Sequence, residues 1–519
     1  MTVLAANILN PARTLARAAA RHPERPSLVE LTRGLVGVRR TWTVPQALTD
    51  TQKLAHYLQA ECGIEAGGRV MVCAHNSAWH MLTYTATALL NATIIPINWR
   101  LTTGEIRSLA QHAQAQVLLC DSERETELRE ILDASQTHPI VIGLSDLEAR
   151  IDSYEYQLSV NSDNYPEVTN GGFEAAIIFT SGTTDTPKAV ALTQQQLWWG
   201  WQNFRHSFEY GNHDTGMAVA PFSHIGGFNG TTNDLYSNGG TLIIAPDFHP
   251  ANLLSALAKY RVSIMFAVPT MYDAMRRQEN WNTVNLDNFQ CPLIGGSAPT
   301  VELMTALHHK GLHPINVYGM TETAGAGICA SPEIATSHPG SVGHPFPWVD
   351  ARVLDAENPD PNHEVPEGTP GMLAVRGPGV VTQYLNNAAP ESFIDGWLLT
   401  GDMVTRVDGV FTIVGRKADT IISGGENIHP LEIENSLADY PALNGALITA
   451  TPDQHWGELI TLLAVPADPS TPPTLKEIQA YLDGKIARFK LPRRLILVEQ
   501  IPLNANGKPD RSAARELAK

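Results

Sequence analysis

Residues 178–190 read IFTSGTTDTPKAV. The apolar run 175–179 before the hydroxyl cluster predicts a strand that enters a turn dense in Thr, Ser and Gly. Small residues let backbone approach a polyanion closely. In such a turn the N–H groups and hydroxyls of Thr180, Ser181, Gly182, Thr183 and Thr184 can donate to phosphate oxygens, and Lys188 adds a full positive charge. An ordinary Ser/Thr turn is the competing reading of this run alone. A Walker loop is excluded, because GxxxxGK[ST] needs Gly before the Lys and a hydroxyl after it, and Pro187 and Ala189 stand there.

Composition narrows the classes. A chain of 519 residues is too long for one core, so two or more domains are expected. With 43% hydrophobic and 17% charged residues it has a globular composition. A net charge of −17 argues against nucleic acid or an anionic membrane as the main partner. The five cysteines, Cys62, Cys73, Cys120, Cys291 and Cys329, are scattered with no CxxC pair, which suggests reduced thiols and a cytoplasmic protein. Residues 1–23 contain Arg but no acid. They fit either a transit peptide or a first amphipathic helix, and Pro11 favours the helix. Residues 70–99 carry no charge. His75, Asn76, Ser77, His80 and Asn91 interrupt the ~20 apolar residues that a membrane span needs, so a buried strand–helix–strand unit is expected instead.

Along residues 1–170, strand-like and helix-like segments alternate, among them strand 69–73, helix 79–90 and strand 92–97. This is the pattern of βαβ units on a mainly parallel sheet, with 152–170 as a polar surface connection. The Trp-rich stretch 194–204 reads as packing. In 220–228, APFSHIGGF, His224 precedes two glycines; a lone His is more often structural than functional. Two further segments run from a strand into a polar turn. LIGGSAP (293–299) offers Gly296, Ser297 and Ala298, and VYGMTET (317–323) offers Tyr318, Gly319, Thr321 and Glu322. Sites in open parallel sheets lie beyond the carboxyl ends of strands, so these turns can share one crevice. Each alone is also compatible with a plain turn or a helix cap. Residues 340–376 predict a small β-rich subdomain, and DGWLLTGD (395–402) ends on Asp402, read as a strand terminus.

The last hundred residues hold three more motifs: GRKADTIISGGENIHPLEIE (415–434), DQHWGELI (453–460) and IPLNANGKPDR (501–511). Together with the earlier motifs, in this order and near this spacing, they resemble the acyl-adenylate-forming superfamily, especially its acyl- and aryl-CoA synthetases of the 4-chlorobenzoate type. The resemblance covers nearly the whole chain. It implies an α/β fold. A large N-terminal domain (1–417) would combine α/β layered subdomains with a β-barrel-like subdomain, and a small mobile α+β domain (418–519) would follow. It implies ATP, Mg²⁺ and CoA as cofactors and co-substrates, with a hydrophobic carboxylic acid as substrate. Lys508 would be the adenylation lysine, Glu322 would hold Mg²⁺, Thr321 would meet the α-phosphate and His224 would border the acyl carboxylate. Gly296, Ser297, Ala298 and Gly319 would border adenine, Tyr318 would stack on it, and Asp402 with Arg416 would hold the ribose. Gly424, Gly425, Trp456 and Phe489 would meet CoA, and Lys490, Arg493 and Arg494 could hold its nucleotide, although on composition they are equally a solvated charge run.

Three positions depart from the family pattern: Asp185 and Ala189, where Gly is usual, and Ala418, where the pivot is usually Asp or Lys. Relatives that activate amino acids usually place an Asp near position 226; Gly226 stands here, and Ile225, Phe228, Met320 and Ala324 suggest an apolar pocket for an aryl or medium-chain acid. An adenylating amide synthetase, a luciferase-like oxygenase and a non-enzymatic binder compete with this reading. The last is disfavoured because Lys508 and Glu322 are both present. The motif 501–511 generates one prediction. Lys508→Ala should suppress adenylate formation, measured as pyrophosphate release, far more than acyl transfer from a supplied acyl-adenylate. Equal losses in both half-reactions would remove the lysine from its assigned step.

Overall fold

The computed structural model describes residues 9–133, 138–154, 174–180, 188–503 and 509–519, with nothing described for the side chain of Asn427. Ser181, Gly182, Thr183, Thr184, Asp185, Lys508 and most of the connection 152–170 lie outside the described residues.

The uncharged run 70–99 forms the expected buried unit. Arg69–Cys73 pairs in parallel with Thr93–Ile97 on one side and with Val117–Cys120 on the other. The helix Ala78–Leu89 that joins the first two is buried on every side over residues 78–88. A parallel sheet covered on both faces needs this continuous apolarity rather than alternation. Ile140–Gly143 extends the sheet past Val117–Cys120, and Glu174–Thr180 lies beyond Thr93–Ile97, with Lys188–Thr193 antiparallel at the edge. The phosphate-loop candidate is therefore the connection between the last two strands. The helix expected near the N-terminus is Pro11–Arg21, capped by the Asn10 side chain, with Leu15 in the core.

A second sheet carries Thr215–Ala218, Thr241–Ile244, Ile264–Ala267, Cys291–Gly295 and Ile315–Met320, all mutually parallel. Gly325–Ala330 turns back antiparallel, and Ser341–Pro345 follows it. Ser341–Pro345 also pairs with Val410–Arg416, which opens an antiparallel set of Asp350–Leu354, Gly371–Arg376, Trp397–Val407 and Val410–Arg416. The β-rich subdomain expected over 340–376 thus reaches residue 416 and is continuous with the parallel sheet through one shared strand. Asp402 does not end a strand as expected. It lies inside Trp397–Val407, just after Gly401 at φ +76° and before a register shift between Met403 and Val404. That irregularity lets the strand bend and continue.

A third, small sheet holds Ile421–Ser423, Glu426–Ile428, Leu443–Asp453, Gly457–Pro466 and Arg494–Leu497. It has its own core of Ile421, Ile428, Ile433, Leu437, Ile448, Ile460 and Ile478. The fold is thus a large α/β N-terminal domain followed by a small C-terminal one. Among the described residues, no helix is long and apolar enough to cross a membrane. The Trp cluster packs as expected: Trp201 is buried and donates its indole N–H to Asn229, while Trp198 and Trp199 meet edge-on.

His80, on the buried helix, sits 3.2 Å from the Ser77 hydroxyl and against Phe222. Burial lowers its imidazole from 6.5 to about 4. The unfolded chain takes up this proton first, so the stability from the neutral ring is complete above pH 6.5 and is lost as pH falls from 6.5 through 4. The shift corresponds to about 3 kcal/mol. Denaturant midpoints measured between pH 7 and pH 4 should fall less steeply for His80→Gln than for the wild type.

Candidate active site

The parallel strands Thr215–Ala218, Ile264–Ala267, Cys291–Gly295 and Ile315–Met320 are neighbours, so their carboxyl ends form one rim. Beyond the first, residues 219–224 lead to His224, the N-cap of the short helix Ile225–Phe228. This bend is tight because residue 227 is Gly. A Cβ there would lie 2.5 Å from the Ala220 carbonyl oxygen. Asn76 pins the bend from the other sheet, donating to the Ala220 carbonyl and accepting from the Phe222 N–H, both at 2.9 Å. Gly226 backs onto Phe266, whose Cε1 would be 2.6 Å from any Cβ at 226. Beyond the third strand, Gly296 takes φ +85° and leads an exposed turn through Ser297 and Ala298.

Beyond the fourth strand, Thr321–Thr323 makes one 3-10 turn and Ala324 closes it in the left-handed region at φ +54°. A non-Gly residue there needs outside support. The support is the Asn229 amide, which donates to the Ala324 carbonyl at 2.7 Å and is itself held by Trp201 at 2.7 Å. Gly319 allows the hairpin to close, since a Cβ there would lie 2.5 Å from the Ala326 Cα. Thr321 and Glu322 are both buried. Glu322 Oε1 accepts the Tyr384 hydroxyl at 2.7 Å, and among the described residues its Oε2 accepts nothing. The Lys188 ammonium lies 4.9 Å from the centre of the Tyr384 ring. Tyr384 therefore links the edge strand of the first sheet to the turn of the second. Thr180 closes the same edge pair, its hydroxyl 3.4 Å from the Lys188 carbonyl.

Asp402 is buried between two donors. Tyr318 gives its hydroxyl at 2.5 Å to one oxygen, and the Arg416 Nε lies 2.8 Å from the other. Burial and the Asp402 charge both push the Tyr318 phenol up, so it stays a donor. The Asp402 charge likewise raises the exposed Arg416. A carboxylate has about four acceptor sites, so this clamp leaves lone pairs for a diol.

The C-terminal candidates form a separate group; among the described residues, no hydrogen bond or ion pair joins it to Glu322 or Asp402. Gly424 donates to the Trp456 carbonyl at 2.9 Å and backs onto its ring, and the Glu458 carboxylate accepts the Ile422 N–H at 2.8 Å. Gly424 and Gly425 are exposed with positive φ, and the Arg493 guanidinium stacks 3.8 Å from the Trp456 ring centre. Phe489 is 40% exposed. The basic run is less free than its composition suggested. Lys490 is paired with both oxygens of Glu432, at 2.6 and 2.7 Å, and Arg494 donates to the Ala518 carbonyl at 2.7 Å. Arg511, three residues past Lys508, grips Glu434 at 2.9 and 3.0 Å and Asp419 at 3.1 Å.

The expected apolar lining is partly corrected. Phe228 and Ala324 are fully enclosed in the core with Tyr84 and Trp201, and Ile225 joins that core, while Met320, Phe266 and Val268 are partly accessible at this rim. Ala189, a departure from the family pattern, is buried within the strand Lys188–Thr193 opposite Phe179. Sequence reasoning missed Tyr384, Asn76, Asn229 and Phe266. None belongs to a motif with a chemical signature, although Asn76 sits inside the uncharged block already singled out. Burial pushes the thiols of Cys73, Cys120, Cys291 and Cys329 up to about 12, which disfavours the nucleophilic thiolate.

The site therefore brings together an acidic turn, a clamped carboxylate and a cation. Comparison with known proteins identifies the family. The family model of the AMP-binding enzyme matches residues 15–385, and that of the AMP-binding enzyme C-terminal domain matches residues 432–508. The indoleacetate–CoA ligase of Aromatoleum aromaticum is 30% identical over 471 residues, covering 90% of this chain and 91% of that protein. The feruloyl-CoA synthase of an Amycolatopsis species is 30% identical over 460 residues, covering 88% and 90%. The solved o-succinylbenzoate CoA synthetase of Bacillus subtilis, in complex with an acyl-adenylate intermediate, superposes with a TM-score of 0.83 over 97% of this chain and 98% of that one, at 24% identity, a likeness of fold. With family models spanning both parts of the chain and relatives aligned over nearly its full length, the chain belongs to the AMP-binding enzyme family.

Proposed function

We propose that the chain is an AMP-forming acid–thiol ligase that joins a hydrophobic carboxylic acid, aryl or medium-chain aliphatic, to CoA. The observation that carries this reading is the pair of linked groups Lys188–Tyr384–Glu322 and Tyr318–Asp402–Arg416, which meet at the strand-to-turn segment 318–322, in a member of this family. Relatives named as CoA ligases for indoleacetate and ferulate support an aryl acid and a thiol acceptor, and they disfavour an amine.

The chemistry follows from the difficulty of the substrate. A carboxylate cannot expel oxide, so its oxygen attacks the α-phosphorus of ATP. The O–P bond forms, the bond to the β-phosphate oxygen breaks, and pyrophosphate leaves. Two anions must be held together in line, which demands cations and fixed donors. Lys508 and Lys188 supply charge, Thr321 a hydroxyl, and the residues 180–184 donors. Asp402 and Arg416 hold the ribose, with Tyr318 and the turn 296–298 against the adenine. The buried Glu322, with Oε2 unclaimed among the described residues, fits Mg²⁺, which is commonly held by one or two carboxylates plus substrate phosphates. Bound there, the ion would neutralise phosphate charge. In the second step the CoA thiolate attacks the acyl carbonyl; the C–S bond forms, the C–O bond breaks, and AMP leaves.

Gly424 and Gly425, with Trp456 and Phe489, would line the path of the CoA arm. Because this group is separate from Glu322 and Asp402, we place the domain boundary at 417/418 and infer a rotation about Ala418 between the two steps. The separate core of the last hundred residues supports that boundary. His224 borders the acyl carboxylate, and Gly226, backed by Phe266, leaves no charge for a substrate ammonium. Five cysteines, none in a disulfide, support a cytoplasmic location.

Pyrophosphate release should be measured with ATP and Mg²⁺ over a panel of benzoates, cinnamates, arylacetates and C4–C12 acids, with and without CoA. Turnover should require CoA and yield an acyl-CoA. Adenylate that CoA does not discharge, but an amine does, would replace the ligase with an amide synthetase.

A further inference from the structure

Tyr384 belongs to none of the motifs above, yet it is buried at the centre of the phosphate side of the site. It lies on the segment that leaves Gly371–Arg376. This segment is docked by the Val381 N–H, which donates to the Glu322 carbonyl at 2.8 Å, and by the Gln196 amide on the Val380 carbonyl at 3.2 Å. Its ring is held edge-on by Phe393 at 5.4 Å between centroids, and Lys188 lies over it. Its hydroxyl donates to Glu322 Oε1.

Two charges of opposite sign therefore share one neutral side chain. The Lys188 ammonium uses the ring's π system and the Glu322 carboxylate uses the hydroxyl. A cation over an aromatic ring is held without being neutralised by a counter-ion. A carboxylate given one donor keeps its second oxygen available, and its rotamer is fixed. A direct Lys188–Glu322 ion pair would have quenched both groups. With Tyr384 between them, both stay available for phosphate and cation.

We propose that Tyr384 is a positioning residue of the adenylation site: its hydroxyl orients Glu322 toward a divalent cation while its ring seats Lys188 toward the nucleotide phosphates. This rests on the assignment of Glu322 and Lys188 in the preceding subsection. The test measures binding, separately from turnover. Mn²⁺ would be titrated by electron paramagnetic resonance against the full-length protein saturated with α,β-methylene-ATP, for wild type, Tyr384→Phe, Glu322→Gln and the double variant. Thermal midpoints would be taken alongside. Tyr384→Phe keeps the ring and should leave metal-free nucleotide affinity unchanged, while the melting point falls because the buried Glu322 carboxylate loses a donor. It should weaken Mn²⁺ by about 10–100-fold, the usual effect of removing a group that orients a metal ligand. The double variant should bind Mn²⁺ no more weakly than Glu322→Gln, because the hydroxyl acts through that carboxylate. Tyr384→Leu, which also removes the ring, should additionally weaken metal-free nucleotide binding. If Tyr384→Phe binds Mn²⁺ like wild type while Glu322→Gln loses it, the positioning role is overturned and the metal assignment stands. If Glu322→Gln also binds like wild type, the metal assignment itself falls, and the proposal with it.

Discussion

The carboxylate of Asp402 is the joint between the parallel strands and the antiparallel set. Tyr318 comes from the parallel sheet, while Asp402 and Arg416 come from the antiparallel set, and a buried anion binds them together. Hydrogen bonds to a charged group contribute about 1.5–3 kcal/mol, and leaving such a group buried without its donors costs more. The clamp therefore constrains both sheets. The strand Ser341–Pro345, paired to both, makes the same connection through backbone. Groups proposed to hold one nucleotide can then keep fixed distances although they come from the parallel and the antiparallel parts of the sheet.

Much of this architecture was legible from local pattern. The uncharged block 70–99 announced a covered parallel sheet, because its polar interruptions exclude a membrane span and burial on both faces tolerates the rest. The turn at 317–323 declared itself by a strand followed by hydroxyls and a carboxylate. What remained hidden depends on partners far away in the chain. Tyr384 meets Glu322 across 62 positions and Asn76 meets Ala220 across 144, and no periodicity encodes either pairing. Lys490 looked like an available cation because Glu432, its partner, is 58 positions away. Asp402 looked terminal because Gly and Asp usually close strands. Here Gly401 in the left-handed region absorbs a bulge and the strand runs on.

The C-terminal unit has its own internal tie. Arg511 holds Asp419, just past the inferred pivot, and Glu434 on the helix Pro430–Leu437. The motif that carries Lys508 is thus anchored to the start of its own domain. A rotation about residue 418 would carry pivot flank, helix and lysine motif as one body, so that withdrawing the lysine and presenting the Gly424–Gly425 turn become a single movement.

The contact between Gly226 and Phe266 bears on how such a pocket can diverge. A side chain at 226 has no room while the ring of 266 stands behind it. Any side chain at 226, an acidic one included, requires the ring of Phe266 to move aside or be trimmed. The two positions are therefore coupled: what residue 226 can carry is decided by the size and rotamer of residue 266, on a different strand end of the same rim.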